Sequence, residues 1–189
     1  MPGIAQAGPV QIRFGGYGGQ GIVLAGTLLG KAASLYDGKE AVFTQAYGPE
    51  ARGGASRADV IIADAPIDYP YVTHPDVLVV LFQEAYALFG KQLKPGGVLI
   101  VEEDLVRLDE SAPPASLLPA TRMAEELGNR IVTNVVVLGF LVGRTGVVSR
   151  SAAEQALHAT VKPKALELNL RAFEAGFALG TAEAESTRP

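Results

Sequence analysis

Neither cysteine nor tryptophan occurs among the 189 residues. The first absence excludes disulfides, thiolate metal sites, a cysteine nucleophile and any iron–sulfur cluster held by this chain alone. A redox centre, where the chain works with one, is borrowed from a partner. With no tryptophan and only 7% aromatic residues, the stacking platforms of single-stranded nucleic-acid binders are missing too. Basic charge is scarce: 16 Lys and Arg against 20 Asp and Glu leave a net charge of -4. That balance gives no polybasic footprint for nucleic acid or anionic lipid. Long hydrophobic runs are lacking as well. The longest, Val135 to Val142, is ended by Gly143 and Arg144, far short of the roughly 20 residues of a membrane span, and reads as a buried helix. Residues 1–10 carry no basic stretch and no apolar segment of signal-peptide length. The expectation is a cytoplasmic protein with no membrane span and no nucleic-acid partner.

What is present suits a globular domain. A composition of 48% hydrophobic and 19% charged residues supplies a core and argues against disorder. Val10 to Phe14 alternates apolar and polar side chains, the period of a strand, and runs into Gly15-Gly16-Tyr17-Gly18-Gly19-Gln20-Gly21. From Ile22 to Leu35 apolar residues recur at helical spacing until Asp37-Gly38. Ala41 to Gln45, Ala58 to Ala63, Val77 to Phe82 and Val98 to Val101 read as further strands, and Glu84 to Leu93 as a helix. A Pro-rich stretch from Ala112 to Pro119 joins this half to a helical half with segments 121–127, 134–142, 151–158 and 163–179. The alternation predicts an α/β, Rossmann-like fold. Its sheet is expected to be mostly parallel, with a mixed sheet left open, helices on both faces and a helical C-terminal part. Residues 1–9 and 181–189 read as tails, the latter disordered, around a single domain at 10–180.

Gly16-Tyr17-Gly18-Gly19-Gln20-Gly21 matches G-x-G-x-x-G between a strand and a helix, the context in which that pattern makes physical sense. Gly16 and Gly18 allow a sharp turn and close approach of a ligand. Gly21 allows helix to pack on strand, and the N–H groups at the helix start favour an anion such as a phosphate. A dinucleotide site further demands an acid about 20 residues on, at the end of the second strand. Thr44 and Gln45 stand there instead, while Asp37 and Glu40 lie before or at the start of that strand. The loop Gln45 to Arg57 should stand beside the first turn, because loops beyond the carboxyl ends of strands line the ligand crevice. Within it Arg52 can fork two hydrogen bonds onto phosphate, Gly53 and Gly54 remove obstructing side chains, and Ser56 adds a hydroxyl. A flexible loop with a solvated Arg is the plainer alternative.

Other chemistry-bearing residues form no set. His74 and His158 lack partners at metal-ligand spacing. Glu102-Glu103-Asp104 reads as a solvated strand end, since three adjacent acids cannot all face one ion. Gly54-Ala55-Ser56-Arg57-Ala58 lacks the last glycine of a nucleophile elbow. No catalytic residue and no metal ligand is assigned.

Gly16 to Gly21, followed by Thr44-Gln45-Ala46-Tyr47-Gly48-Pro49-Glu50-Ala51-Arg52-Gly53-Gly54, resembles the gamma subunit of 2-oxoacid:ferredoxin oxidoreductases. Pro75 to Val79, Asn134 with Gly139, and Lys164 with Asn169 and Gly176 also look like that family, so the likeness runs over about residues 10 to 180. The resemblance implies a subunit of a complex that converts a 2-oxoacid and coenzyme A to acyl-CoA and CO2, with electrons passed to ferredoxin or a similar acceptor. It implies thiamine diphosphate with Mg between alpha and beta subunits, iron–sulfur clusters in a ferredoxin-like subunit, and no cofactor bound by this chain alone. A shared coenzyme A site is carried over to Gly16, Gly18, Gly19, Gln20, Gly21, Arg52, Gly53 and Gly54, with Ser56 and Tyr47 at its margin. The competing expectation is a stand-alone NAD(P)-dependent Rossmann dehydrogenase.

Overall fold

Six strands form one sheet in the order β2-β3-β1-β4-β5-β6 in the computed structural model, which describes residues 8–46 and 55–187. They are β1 (Val10–Gly16), β2 (Glu40–Ala46), β3 (Ser56–Ala63), β4 (Val77–Val80), β5 (Val98–Glu102) and β6 (Ala115–Leu118). β1 pairs parallel with β4, β4 with β5 and β5 with β6. On its other side β1 pairs antiparallel with β3, which pairs antiparallel with β2. The sheet is therefore mixed, with its parallel part carrying the central strands.

The helices are α1 (Ile22–Lys31), α2 (Gln83–Phe89), α3 (Ala120–Glu126), α4 (Thr133–Thr145), α5 (Arg150–Thr160) and α6 (Pro163–Ser186). A π turn, Ala32–Tyr36, prolongs α1 and accounts for the helical period reaching Leu35. Residues 181–186, expected as a disordered tail, instead continue α6. Glu183 there bonds the Ser116 hydroxyl of β6 and lies 3.5 Å from Arg144 of α4, so partners on the body hold this last turn. The Pro-rich stretch likewise holds a strand, β6. Its prolines flank the four residues rather than interrupt them, and an edge strand tolerates that.

The two faces of the sheet are unequally covered. One buries a large apolar cluster that runs from Ile12 and Phe14 through Leu28 and Leu29 to Val135–Val142 and Phe173. The other holds a smaller cluster around Leu78, Val80, Ala85, Phe89, Leu99 and Val101, roofed by α2. Helices thus lie on both faces, but nearly all on one. α4 is apolar all round because α6 and the sheet-side cluster cover it. Four glycines let α4 and α6 touch backbone to backbone: Gly139 and Gly143 on α4, Gly176 and Gly180 on α6.

Arg13 shows how alternation can mislead about charge. In β1 it occupies a polar position, yet it is 2% exposed. Register places Asp59 of β3 directly across from it. Its Nε and Nη2 donate to the two Asp59 oxygens at 2.7 and 2.8 Å, Nη2 also donates to the Val72 carbonyl at 2.7 Å, and Nη1 donates to Gln92 Oε1. The Phe89 ring lies 5.3 Å from the guanidinium carbon. A buried charge so fully partnered is tolerable.

Candidate functional site

β1 ends against Gly16, the chain turns through residues 17–20, and α1 begins after Gly21. The turn is held from inside. Gln20 folds its amide back: Oε1 accepts from Tyr17 N–H at 2.9 Å, and Nε2 donates to the Leu81 carbonyl at the end of β4 at 2.8 Å. A Cβ on Gly16 would lie 2.6 Å from that Gln20 oxygen. Gly16 is therefore bare to admit Gln20, and Gln20 is a strut of the turn, with a partner at its amide oxygen and at its amide nitrogen.

Gly21 has φ 73°, left-handed backbone that favours glycine. A Cβ there would lie 2.6 Å from Asn134 Nδ2, which donates to the Gly21 carbonyl at 3.2 Å. The packing partner of Gly21 is thus α4, not a strand as the glycine pattern alone suggests. Asn134 is buried and ties the glycine turn to the α4–α6 pair.

Gly18 and Gly19 differ from the other two. Both are exposed, and a Cβ on either would meet nothing within 4 Å. Among the described residues their N–H groups have no hydrogen-bond partner. The first-turn N–H groups of α1 add to these, with the positive end of the helix dipole. A cleft of about 380 Å³ opens at Gly19, lined by Tyr17, Gly19, Gln20, Thr121, Arg130, Ile131 and Thr133. Tyr17 sits edge-on to Phe82 with ring centroids 5.1 Å apart.

Tyr47, Arg52, Gly53 and Gly54 lie outside the described residues. The stems of their loop are placed: Ala46 pairs with Arg57, and Gly16 pairs with Ser56. Register therefore brings the ends of that loop to the same end of the sheet as the glycine turn. Ser56 is buried at the start of β3, directly across from Gly16.

Sequence reading missed Arg130, Thr121, Ile131 and Thr133. The only local signal was Asn129, whose Oδ1 accepts from Ile131 N–H at 3.0 Å and caps the 3-10 turn Arg130–Val132. Nothing short of the fold says that this turn faces residues 17–20.

The acidic run 102–104 is split by its surroundings. Glu103 pairs with Arg122, and Asp104 lies 2.9 Å from the same guanidinium. Glu102 is buried rather than solvated, which corrects the strand-end reading for that residue. Its Oε2 accepts from Thr121 N–H at 3.1 Å, whereas Oε1 has no partner. Burial pushes its pKa above the ordinary 4.5, against the opposing pull of the Thr121 hydrogen bond. A raised folded-state pKa contributes stability below the unfolded value, and this is lost as pH rises through the folded value. Glu102→Gln is thus expected to flatten the fall in Tm as pH rises above 4.5 and to raise Tm at pH 8; thermal melts across that range check it. An unchanged pH slope would mean that Glu102 is ionised as easily folded as unfolded. Among the described residues no group of three potential metal ligands occurs, and no helix is long and apolar enough to cross a membrane.

The acid that a dinucleotide site needs is also accounted for. Asp37 Oδ2 accepts from Ser149 N–H and Oδ1 bonds the Ser149 hydroxyl, both at 2.6 Å, at the opposite end of β2 from the cleft. β3, moreover, stands between β1 and β2.

Known proteins share this architecture. The family model described as pyruvate ferredoxin/flavodoxin oxidoreductase matches residues 11–179. The 2-oxoglutarate synthase subunit KorC of Methanocaldococcus jannaschii is 50% identical over 172 residues, covering 88% of this chain and 91% of its own. The pyruvate/ketoisovalerate oxidoreductases common subunit gamma of Thermococcus kodakarensis is 34% identical over 180 residues, 89% of this chain and 95% of its own. Among solved structures, the gamma subunit of keto/oxoacid ferredoxin oxidoreductase from Geobacter sulfurreducens superposes with a TM-score of 0.85 at 46% identity. It covers 93% of this chain and 98% of its own.

Proposed function

This chain belongs to the pyruvate ferredoxin/flavodoxin oxidoreductase family as a gamma-type subunit of a 2-oxoacid:ferredoxin oxidoreductase, and from that membership we propose that its glycine turn holds phosphate groups of coenzyme A. One observation carries the proposal: Gly19, with exposed Gly18 before it, leaves its N–H without a partner among the described residues, near a helix N-terminus, in the lining of a cleft large enough for part of a nucleotide. Such a turn suits an anion that approaches the backbone itself. Coenzyme A carries a diphosphate far from its reacting sulfur. Binding energy from that remote end can position the thiol, so the turn serves the thioester-forming step without touching it. Gly16, Gln20 and Gly21 support the turn from behind. Roles at the same ligand are proposed for Tyr47, Arg52, Gly53 and Gly54 on the strength of the family resemblance, and for Ser56, which is buried across from Gly16.

Thiamine diphosphate with Mg belongs to alpha and beta partner subunits in this account, and the iron–sulfur clusters to a ferredoxin-like subunit. The cysteine-free sequence suits that division. The KorC relative supports 2-oxoglutarate as the acid to assay first. A relative named as common to pyruvate and ketoisovalerate oxidoreductases supports leaving the choice of acid to the other chains. A private NAD(P) site is disfavoured by the position of Asp37 and by β3 lying where a dinucleotide fold places its second strand.

Gly18→Asp tests the proposal. The side chain has room and the backbone at residue 18 is not left-handed, so the fold should be kept while a carboxylate faces the incoming phosphate. In the assembled complex the KM for coenzyme A is expected to rise about tenfold or more, with release of CO2 from the 2-oxoacid in the absence of coenzyme A largely kept. An unaltered coenzyme A dependence would contradict the proposal. The isolated chain is expected to oxidise no 2-oxoacid; turnover by partner-free protein would overturn the subunit division.

A further inference from the structure

Arg130 stands out by its position: it is the one arginine in the described lining of the cleft, and like Arg107 and Arg171 it has no carboxylate within ion-pair distance among the described residues. Arg13, Arg57, Arg122, Arg144 and Arg150 each lie within ion-pair distance of a carboxylate. Arg130 has no such partner among the described residues, and it is the one charged residue of the described cleft lining. Its backbone is fixed from both sides. The Asn129 side chain caps the turn at Ile131 N–H, and the Thr133 hydroxyl donates to the Arg130 carbonyl at 2.7 Å. An uncompensated guanidinium on a doubly capped turn is a poor device for stability and a good one for presenting a fork of donors to an anion. Beside it Ile131 is 77% exposed, and Tyr17 also lines the cleft. Apolar surface and a cation in one cleft suit a purine nucleoside that carries a phosphate.

We infer that Arg130 binds the 3′-phosphate of the coenzyme A adenosine and so sets the preference for coenzyme A over 3′-dephospho-coenzyme A. The inference rests on the proposed coenzyme A reading and divides the anionic end of the ligand between two walls. The glycine turn offers single N–H groups, which suit the diphosphate, whose phosphates each carry one charge. A phosphomonoester carries close to two charges at neutral pH, its second pKa being about 6, and gains most from a planar bidentate cation. Because Arg130 is exposed, the phosphate it takes is one at the end of the ligand that remains near solvent.

The test is equilibrium titration of the assembled complex with coenzyme A and, separately, with 3′-dephospho-coenzyme A, on the parent, Arg130→Ala, Arg130→Lys and Gly18→Asp. The parent is expected to prefer coenzyme A. In Arg130→Ala the affinity for coenzyme A falls about tenfold, that for the dephospho compound stays as in the parent, and the preference disappears. Arg130→Lys keeps part of it. Gly18→Asp weakens both ligands alike. If Gly18→Asp weakens both while Arg130→Ala leaves the preference intact, the assignment of Arg130 is wrong and the coenzyme A site stands. If neither substitution alters either ligand, the coenzyme A reading itself fails.

Discussion

Gly176→Ala is expected to destabilise the protein by about 3 kcal/mol or more. A Cβ at residue 176 would be driven into the Val136 carbonyl and would stand 2.9 Å from Phe140 N; one at Gly139 would overlap the Phe173 carbonyl and stand 2.9 Å from Phe177 N. These neighbours are backbone, so no rotamer change relieves the overlap, and α4 and α6 have to separate along their shared face. Alanine's advantage over glycine in a helix, about 1 kcal/mol, is too small to compensate. Gly30→Ala in α1 provides the control. There a Cβ meets only Phe43 Cβ at 4.0 Å, so the same change should stabilise by about 0.5–1 kcal/mol. Urea unfolding of both variants measures the difference, and equal effects would mean that the helix pair is not held by backbone contact. Separation of α4 also withdraws Asn134 from Gly21. Gly176→Ala should therefore weaken coenzyme A binding in whatever complex still assembles.

Asp59→Ala is expected to cost about 3–5 kcal/mol. The substitution leaves the Arg13 guanidinium buried, with Val72 and Gln92 still accepting but no counter-charge. Removing both charges tests the cause. Arg13→Met with Asp59→Leu keeps apolar volume beside Phe89 and should recover most of the loss, because most of the damage comes from holding an unpaired ion away from water. A double variant as unstable as Asp59→Ala would show instead that the hydrogen bonds to Val72 and Gln92, which tie the 64–76 segment and the 3-10 turn Gly90–Gln92 after α2 to β1, matter more than the charge.

Strand, glycine turn and helix were legible at 10–35 because local pattern and local structure coincide there. Glycine spacing alone could not assign roles within the turn. Gly16 and Gly21 are bare for the sake of Gln20 and Asn134, and only Gly18 and Gly19 open outward. That distinction depends on a residue 113 positions away in sequence. The antiparallel placement of β3 between β1 and β2 was equally hidden, since a strand's direction in a sheet leaves no mark on its own residues. β6 was lost among prolines, the last helical turn of α6 among tail-like residues, and Arg130 in a connection with no periodicity to draw attention to it.

Hydrogen exchange on the assembled complex, with and without coenzyme A, tests the central claim most directly. The account predicts that the ligand slows exchange at the Gly18 and Gly19 amides, which have no hydrogen-bond partner among the described residues, and adds protection in the Arg130–Val132 turn, whose Ile131 and Val132 amides are already bonded to Asn129, while the N-terminal end of β1 is unchanged. Protection confined to other segments, with residues 17–22 exchanging equally fast in both states, would contradict it.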